Sequence, residues 1–188
     1  KDALDKNQLT KVLFNMPPGD WAQGDRGLAC LPDRVTAFQE GVHEAIRYAN
    51  VLQCHQIHAM AGLVPADANV LEYEQTYIKN IQYAADHCAA HDLRVLIEPI
   101  NLRDMPRYFL TTQKQAEALL VKINRPNVFI QLDLYHCQIM EGDLMKTIER
   151  LGDKFCHIQI ASVPERHEPD QGEVNYAWIF KKLAECHY

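Results

Sequence analysis

The sequence predicts an α/β protein in which parallel strands alternate with helices. Five short apolar runs have the length and the Val, Ile, Leu and Phe content of strands. Longer stretches between them repeat apolar residues at steps of three and four, which is the period of an amphipathic helix. No two runs lie close enough in sequence to form a hairpin, so we expect each helix to connect two parallel strands.

The predicted strands follow the apolar runs in chain order and are expected at 10–15, 55–60, 93–98, 127–133 and 156–161. The apolar stripes of the predicted helices span 38–52, 73–88, 116–123, 144–151 and 176–183. Two of these helices carry start signals. Thr112 precedes Gln115 at the spacing of a capping box, and Asn175 is a suitable N-cap residue.

The faces of the predicted strands favour a (β/α)8 barrel over a doubly wound sheet. In the strand at 156–161, His157 and Gln159 share one face, and Ile158 and Ile160 occupy the opposite face. A sheet that helices cover on both sides is apolar on both faces. One polar face in each strand is typical of a barrel whose interior leads to a polar site.

Composition excludes several function classes. The chain has 188 residues, of which 19 are Lys or Arg and 25 are Asp or Glu, and its net charge is -6. Because it is acidic and has no basic run, we expect no nucleic acid partner. No apolar run approaches the ~20 residues of a membrane helix, so no membrane partner is expected. Walker A, G-x-G-x-x-G and G-x-S-x-G motifs are absent, which disfavours nucleotide binding and serine hydrolysis.

The spacing of the cysteines and of the helical histidines indicates neither a disulfide framework nor a metal site. The six cysteines contain no C-x-x-C pair, so we predict reduced thiols and a cytoplasmic protein. Four histidines in helical stretches match no metal-ligand spacing and are predicted to lie at the surface; they are His43, His87, His91 and His187.

Three polar residues end three consecutive predicted strands: Glu98, Asp133 and Gln159. If the strands are parallel neighbours, these side chains point into one pocket. Two carboxylates and an amide oxygen are hard ligands, which suit Mg²⁺ or Mn²⁺. A carboxylate at a strand end is also a common helix cap or loop ion-pair partner, and the pattern alone leaves both interpretations open.

Three further residues are candidates for substrate binding. His136 follows the fourth predicted strand and can hydrogen-bond a substrate oxygen, and His58 is predicted to face inward. The commoner role for a histidine in such a position is that of a core residue whose hydrogen bonds are satisfied. Arg166 follows the last strand, and its planar guanidinium can bind a carboxylate. The alternative for Arg166 is a surface ion pair with Glu165 or Glu168.

The segment 17–32 follows the first predicted strand on the side where the polar residues gather. It contains three glycines together with Trp21 and Arg26. It is consistent with a mobile lid over the site or with a packed surface loop.

Five ordered segments carry a recognisable pattern: FNMPPGDW at 14–21, LIEPIN at 96–101, DLYHCQ at 133–138, HIQIA at 157–161, and RHEP at 166–169 with GE and NY shortly after it. Together they resemble the hydroxypyruvate isomerase family of the xylose-isomerase-like TIM barrels. The closely related 2-oxo-tetronate isomerases are similar over the same segments. The resemblance implies that this chain supplies strands 3 to 7 of an eight-stranded TIM barrel, as a single domain over 1–188 that is incomplete at both ends.

The resemblance also implies roles for individual residues. Glu98 would be a metal ligand and one of two catalytic glutamates, while Asp133 and Gln159 would be metal ligands. His136 and Arg166 would contact the substrate. The second catalytic glutamate would lie on a last strand that follows residue 188.

The implied reaction interconverts the aldehyde and ketone forms of a small hydroxy-oxo acid, hydroxypyruvate to tartronate semialdehyde. A base removes a proton next to the carbonyl, a divalent cation stabilises the enediolate, and an acid returns the proton to the neighbouring carbon. The alternatives are a 2-oxo-tetronate isomerase of four-carbon sugar-acid catabolism and a non-catalytic, barrel-derived binding module. A phosphodiesterase of the endonuclease IV kind is disfavoured by the acidic charge. The sequence does not indicate an oligomeric state.

Overall fold

The computed structural model describes residues 1–186 and 188. Its centre is a sheet of five parallel strands whose spatial order is the same as their order in the chain. The strands are β1 (Phe14–Asn15), β2 (Gln56–His58), β3 (Arg94–Ile97), β4 (Val128–Asp133) and β5 (Phe155–Gln159). A doubly wound sheet would reverse its strand order at a switch point. The sequential order therefore confirms a TIM-barrel-like α/β fold, here as a half-barrel.

Seven α-helices are present among the described residues: α1 (Asp2–Lys6), α2 (Val35–Leu52), α3 (Val70–Ala89), α4 (Gln113–Ile123), α5 (Leu134–Met140), α6 (Leu144–Leu151) and α7 (Tyr176–Glu185). The five predicted apolar stripes lie on α2, α3, α4, α6 and α7. Both predicted caps are formed, since the side chain of Thr112 accepts from the Gln115 N–H and that of Asn175 from the Trp178 N–H.

The sequence did not predict α1 or α5, and it predicted a longer first strand. Only Phe14–Asn15 of the run 10–15 pairs with β2, and residues 10–12 are exposed. In the register that pairs Phe14 with Ile57, residues 10–12 lie opposite positions before Gln56, where β2 begins, so they have no β2 residue to pair with.

The two faces of the sheet differ as the strand alternation predicted. Ile57, Val95 and Ile130 point towards the helices and belong to one apolar core with Val42 of α2 and Ile81 of α3. Burying one such side chain contributes about 1.5–3 kcal/mol. The opposite face carries polar side chains, which accumulate near the carboxyl ends of the strands.

The remaining predictions on residue environment have mixed outcomes. His43 and His91 are exposed as predicted, His87 is half-buried, and His187 lies outside the described residues. All six cysteines are among the described residues and none forms a disulfide. Within the described part of the chain, no helix combines the length and the apolar character needed to span a bilayer.

Candidate active site at the carboxyl ends of the strands

Three buried polar side chains meet where β3 and β4 end. Glu98 follows β3, Asp133 is the last residue of β4, and His136 lies in the first turn of α5. One nitrogen or oxygen atom of each side chain lies within 4.8 Å of the others. Their exposed fractions are 6%, 3% and 2%, so this cluster is withdrawn from water. The neighbouring parallel strands bring Glu98 to residues that lie 35 and 38 positions later in the chain.

The buried environment changes the acidity of Glu98. Desolvation and the negative charge of Asp133 raise the pKa of Glu98 to about 8. A hydrogen bond from Gln131 and the positive charge of Arg166 act in the opposite direction and limit this rise. A carboxyl group whose pKa lies near neutrality can both accept and donate a proton at physiological pH. Glu98 therefore has the properties of a general acid or base.

The two oxygens of Asp133 have different roles. Oδ1 caps α5 by accepting hydrogen bonds from the N–H groups of Tyr135 at 2.8 Å and His136 at 3.2 Å. Oδ2 lies 3.7 Å from His136 Nε2 and 3.8 Å from an Arg166 nitrogen. One oxygen is thus structural, as the helix-cap interpretation predicted, and the other remains available to a cation or a substrate.

Gln159 ends β5 beside this cluster. It is the register partner of Asp133 across the sheet, and its Oε1 accepts a hydrogen bond from Gln131 Nε2 at 2.9 Å. Gln131 also lowers the pKa of Glu98, against the effect of burial. An amide oxygen has two lone pairs, so Gln159 Oε1 keeps one for a further partner.

His58 lies on the other side of Glu98, with its side chain fully buried. Its Nδ1 is 3.1 Å from Asn15 Oδ1 and 3.6 Å from Glu98 Oε2. Burial lowers the pKa of His58 to about 3, so the ring is neutral. Because Asn15 Nδ2 faces the sulfur of Met60, Asn15 presents its oxygen to the ring and Nδ1 of His58 carries the proton. Nε2 is then a buried acceptor that has no hydrogen-bond partner among the described residues.

Arg166 joins the site from the loop after β5. Its Nη2 lies 3.3 Å from His136 Nε2, its Nη1 lies 3.6 Å from Asp104 Oδ2, and its guanidinium carbon is 4.9 Å from the ring centre of Tyr135. The ion pairs of Arg166 among the described residues are with Asp104 and Asp133. The surface alternative, pairing with the adjacent glutamates, is not the arrangement adopted.

The structure adds residues that sequence reasoning missed. Asn15, Gln131, Asn101, Tyr135 and Asp104 all contact a predicted site residue. Gln131 lies on the polar face of β4 together with Asp133, and the alternation along the strand could have identified it. Asn101 and Tyr135 lie inside the segments that carried the resemblance. No sequence pattern marked Asp104.

The segment 17–32 is packed in its second half. Gly27 bridges Ala61, and the backbone N–H of Cys30 donates to the Ala61 carbonyl at 2.8 Å. Gly27 has φ +108, and a Cβ there would lie 2.3 Å from the Met60 carbonyl oxygen. The packed-loop alternative therefore describes the chain from Gly27 onwards, while the lid stays a prediction for the residues before it.

Comparison with known proteins agrees with this geometry. A family model described as "Xylose isomerase-like TIM barrel" matches residues 1–188. The chain belongs to the xylose isomerase-like TIM barrel family. Membership accounts for the sequential parallel strands and for the polar site at their carboxyl ends.

Within this family, the chain is similar to named isomerases. It is 49% identical over 185 residues to the 2-oxo-tetronate isomerase of Cupriavidus necator, which covers 98% of this chain and 71% of that relative. It is 42% identical over 188 residues to the hydroxypyruvate isomerase of Escherichia coli K12, which covers 100% of this chain and 73% of that relative. These matches confirm the resemblance carried by the five sequence segments.

Two solved structures superpose well on this chain. A crystal structure of AP endonuclease, family 2, from Brucella melitensis has a TM-score of 0.97 and 49% identity, covering 100% of this chain and 72% of that one. A 3-keto-D-glucoside 4-epimerase from E. coli has a TM-score of 0.83 at 18% identity, covering 100% and 72% respectively. The second likeness concerns the fold alone.

Proposed function

We propose that this protein interconverts the aldehyde and ketone forms of a small hydroxy-oxo acid, with hydroxypyruvate and tartronate semialdehyde as the pair. It is an enzyme of the isomerase class, because relatives that are 49% and 42% identical over almost the whole chain are isomerases. The observation that carries the proposal is the cluster of three buried side chains, Glu98, Asp133 and His136, at the carboxyl ends of β3 and β4.

We propose that Glu98, Asp133 and Gln159 bind a divalent cation, with Mg²⁺ or Mn²⁺ as the best candidates. The donor set fits such an ion: Asp133 Oδ2 is not used by the helix cap, and Gln159 Oε1 accepts one hydrogen bond and keeps a second lone pair. Oxygen ligands of this kind suit hard cations. When bound, the cation would act as a Lewis acid that stabilises negative charge on the substrate oxygens.

The side chains of the site also transfer the proton and bind the substrate. Glu98 takes the proton from the carbon next to the carbonyl, and the electron pair left behind forms the enediolate. Arg166 binds the carboxylate of the substrate, and His136 donates to a substrate oxygen beside the guanidinium. The unpartnered Nε2 of His58 accepts a hydrogen bond from a substrate hydroxyl, which satisfies a buried polar atom. We propose that a second glutamate, outside these 188 residues, returns the proton.

We also propose that the five βα units are strands 3 to 7 of an eight-stranded barrel, and that 1–188 is one domain, incomplete at both ends. β1 and β5 each have a single partner strand in the described sheet. Large apolar side chains are exposed beside β5, with Ile160 at 36% and Phe180 at 46%. Such surface is usually covered in a finished barrel. The first relatives named above are matched over 71% and 73% of their length.

A four-carbon substrate is the second candidate within the same chemistry. The 49% identical relative is named a 2-oxo-tetronate isomerase, which favours a four-carbon oxo acid. Both substrates carry the carboxylate that Arg166 would bind. The name of the Brucella structure suggests a nuclease, but a net charge of -6 on this chain opposes binding to a DNA backbone. The identity to named isomerases also favours an enzyme over the binding module.

An isomerase assay tests the proposal. The full-length protein that contains these residues is incubated with hydroxypyruvate and, separately, with a 2-oxo-tetronate, and the product is identified by NMR. We expect turnover of at least one substrate, loss of turnover with EDTA, and recovery with Mg²⁺ or Mn²⁺. Absence of turnover of both substrates in the metal-loaded protein would reject the proposed function.

A further inference from the structure

A hydrogen-bond network behind His136 and Arg166 extends from the site into the loop after β3. It contains Asn101, Asp104 and Tyr135, none of which is expected to touch the reacting atoms. We propose that this network is a positioning device that holds His136 as an Nε2–H donor beside Arg166, so that the two side chains bind one anionic oxygen of the substrate. The inference rests on the proposed function for the identity of that substrate.

The orientation of the Asn101 amide decides which nitrogen of His136 carries the proton. Asn101 Oδ1 accepts from the Asp104 N–H at 2.8 Å, and Asn101 Nδ2 donates to Asp104 Oδ2 at 3.1 Å. The amide therefore cannot be turned around without losing both bonds. Its nitrogen also lies 2.7 Å from His136 Nδ1, and the backbone N–H of Asn101 points to the same atom at 3.4 Å.

Two donors thus converge on Nδ1 of His136, and this nitrogen must accept. The neutral ring then carries its proton on Nε2. His136 is 2% exposed and Asn101 is fully buried, so no bulk water competes for Nδ1. Because Nε2 carries a proton, it is unsuited to binding a cation. The proton on Nε2 therefore assigns His136 to substrate binding rather than to cation binding, although the residue lies beside Glu98 and Asp133.

The proton on Nε2 creates a pair of donors. His136 Nε2 and Arg166 Nη2 are 3.3 Å apart, yet neither can accept from the other. Asp133 Oδ2 lies 3.7 Å from His136 Nε2 and 3.8 Å from Arg166 Nη2, and both distances are longer than a normal hydrogen bond. Both donors are therefore available to an incoming oxygen. A carboxylate or enediolate oxygen matches them best, because it is negatively charged and accepts several bonds.

Asp104 contacts Arg166 directly and His136 through Asn101. Its Oδ2 accepts from Tyr135 Oη at 2.8 Å and from Asn101, and it lies 3.6 Å from Arg166 Nη1. Burial raises the pKa of Asp104, but the hydrogen bonds from Tyr135 and Asn101 and the charge of Arg166 outweigh it and lower the pKa. Tyr135 also supports Arg166 directly, since its ring lies 4.9 Å below the guanidinium.

The first experiment reads the proton position on His136 directly. The protein is labelled with ¹⁵N-histidine, and the signal among its nine histidines is assigned from a His136→Gln spectrum. We expect an Nδ1 resonance typical of a nitrogen without a proton and an Nε2 resonance typical of N–H. In Asn101→Asp, which replaces the donor with an acceptor, the proton should move to Nδ1. A protonated Nδ1 in the unchanged neutral ring would overturn the proposal whatever the activity.

The second experiment measures anion binding with tartronate, a hydroxy-diacid that cannot isomerise. Tyr135→Phe keeps the ring under Arg166 and removes one hydrogen bond to Asp104, so the Kd for tartronate should rise about threefold to tenfold. Asn101→Asp should raise it at least ~10-fold. Leu102→Ala, at an exposed position in the same loop, is the matched control and should change neither Kd nor the His136 spectrum.

The outcomes separate the two proposals. If tartronate shifts the Nε2 resonance of His136 while the protein turns over neither candidate substrate, the positioning network stands and the proposed function fails. If the protein is an active isomerase but tartronate binding is unchanged in both Tyr135→Phe and Asn101→Asp, the network does not position the donors and the inference is wrong.

Discussion

Asp133 of β4 and Gln159 of β5 are register partners in adjacent parallel strands, and both lie at the carboxyl end of their strand. Their oxygens therefore face the same pocket, and the Gln131 amide donates to the Gln159 oxygen. A change at Gln159 tests the cation site without disturbing the cap of α5 that Asp133 forms.

Gln159→Leu should weaken binding of Mn²⁺ at least ~10-fold while the protein stays folded. Leucine has a similar volume but offers no oxygen, and even indirect losses around a metal site cost 10–100-fold in affinity. Isothermal titration calorimetry with Mn²⁺ measures the change, and Gln171→Leu in the exposed loop after β5 is the control. An unchanged affinity in Gln159→Leu would remove this residue from the ligand set.

Arg166→Lys should mainly raise KM for the carboxylate substrate, with kcat affected less. The variant keeps the positive charge but loses the planar pair of N–H groups that bind a carboxylate and rest on Tyr135. Steady-state kinetics separate the two constants, and Arg103→Lys in an exposed part of the loop after β3 serves as the comparison. If kcat fell while KM stayed constant, Arg166 would act in the chemical step rather than in binding.

Gly27→Ala should destabilise the protein far more than Gly24→Ala. Both glycines have positive φ, but only at Gly27 would the new Cβ meet a backbone oxygen, that of Met60 at 2.3 Å. We expect losses in the free energy of unfolding of roughly 3–5 kcal/mol at Gly27 and about 1–2 kcal/mol at Gly24. Urea denaturation followed by circular dichroism provides the comparison. Equal losses would mean that the contact with Met60 imposes no constraint.

The fold was accessible from the sequence because its signals are periodic. Alternation along a strand assigns each side chain to a face, and helices between the strands impose parallel order. Those two rules brought Glu98, Asp133 and His136 to one end of the sheet before any coordinate was known. The prediction of β1 failed over residues 10–12, because an apolar run does not reveal whether a partner strand is present.

The hydrogen-bond network behind His136 and Arg166 could not be predicted from the sequence in the same way. Asp104 lies in a loop with no periodic pattern, and its contact with Tyr135 joins positions 31 residues apart. The proton position on His136 depends on the orientation of the Asn101 amide, which is set by that loop. Such hydrogen bonds depend on loop geometry, and sequence spacing carries no information about it.

Glu98→Gln in the full-length, metal-loaded enzyme tests the central claim most directly. Glutamine has nearly the same shape and still offers an oxygen to a cation, but it cannot take the proton from the substrate. We expect kcat to fall ~10²–10⁴-fold, with the circular dichroism spectrum preserved and with Glu165→Gln, beside Arg166, remaining as active as the unchanged protein. A near-normal kcat for Glu98→Gln would contradict the account, because Glu98 would then be a structural residue and the base would lie elsewhere.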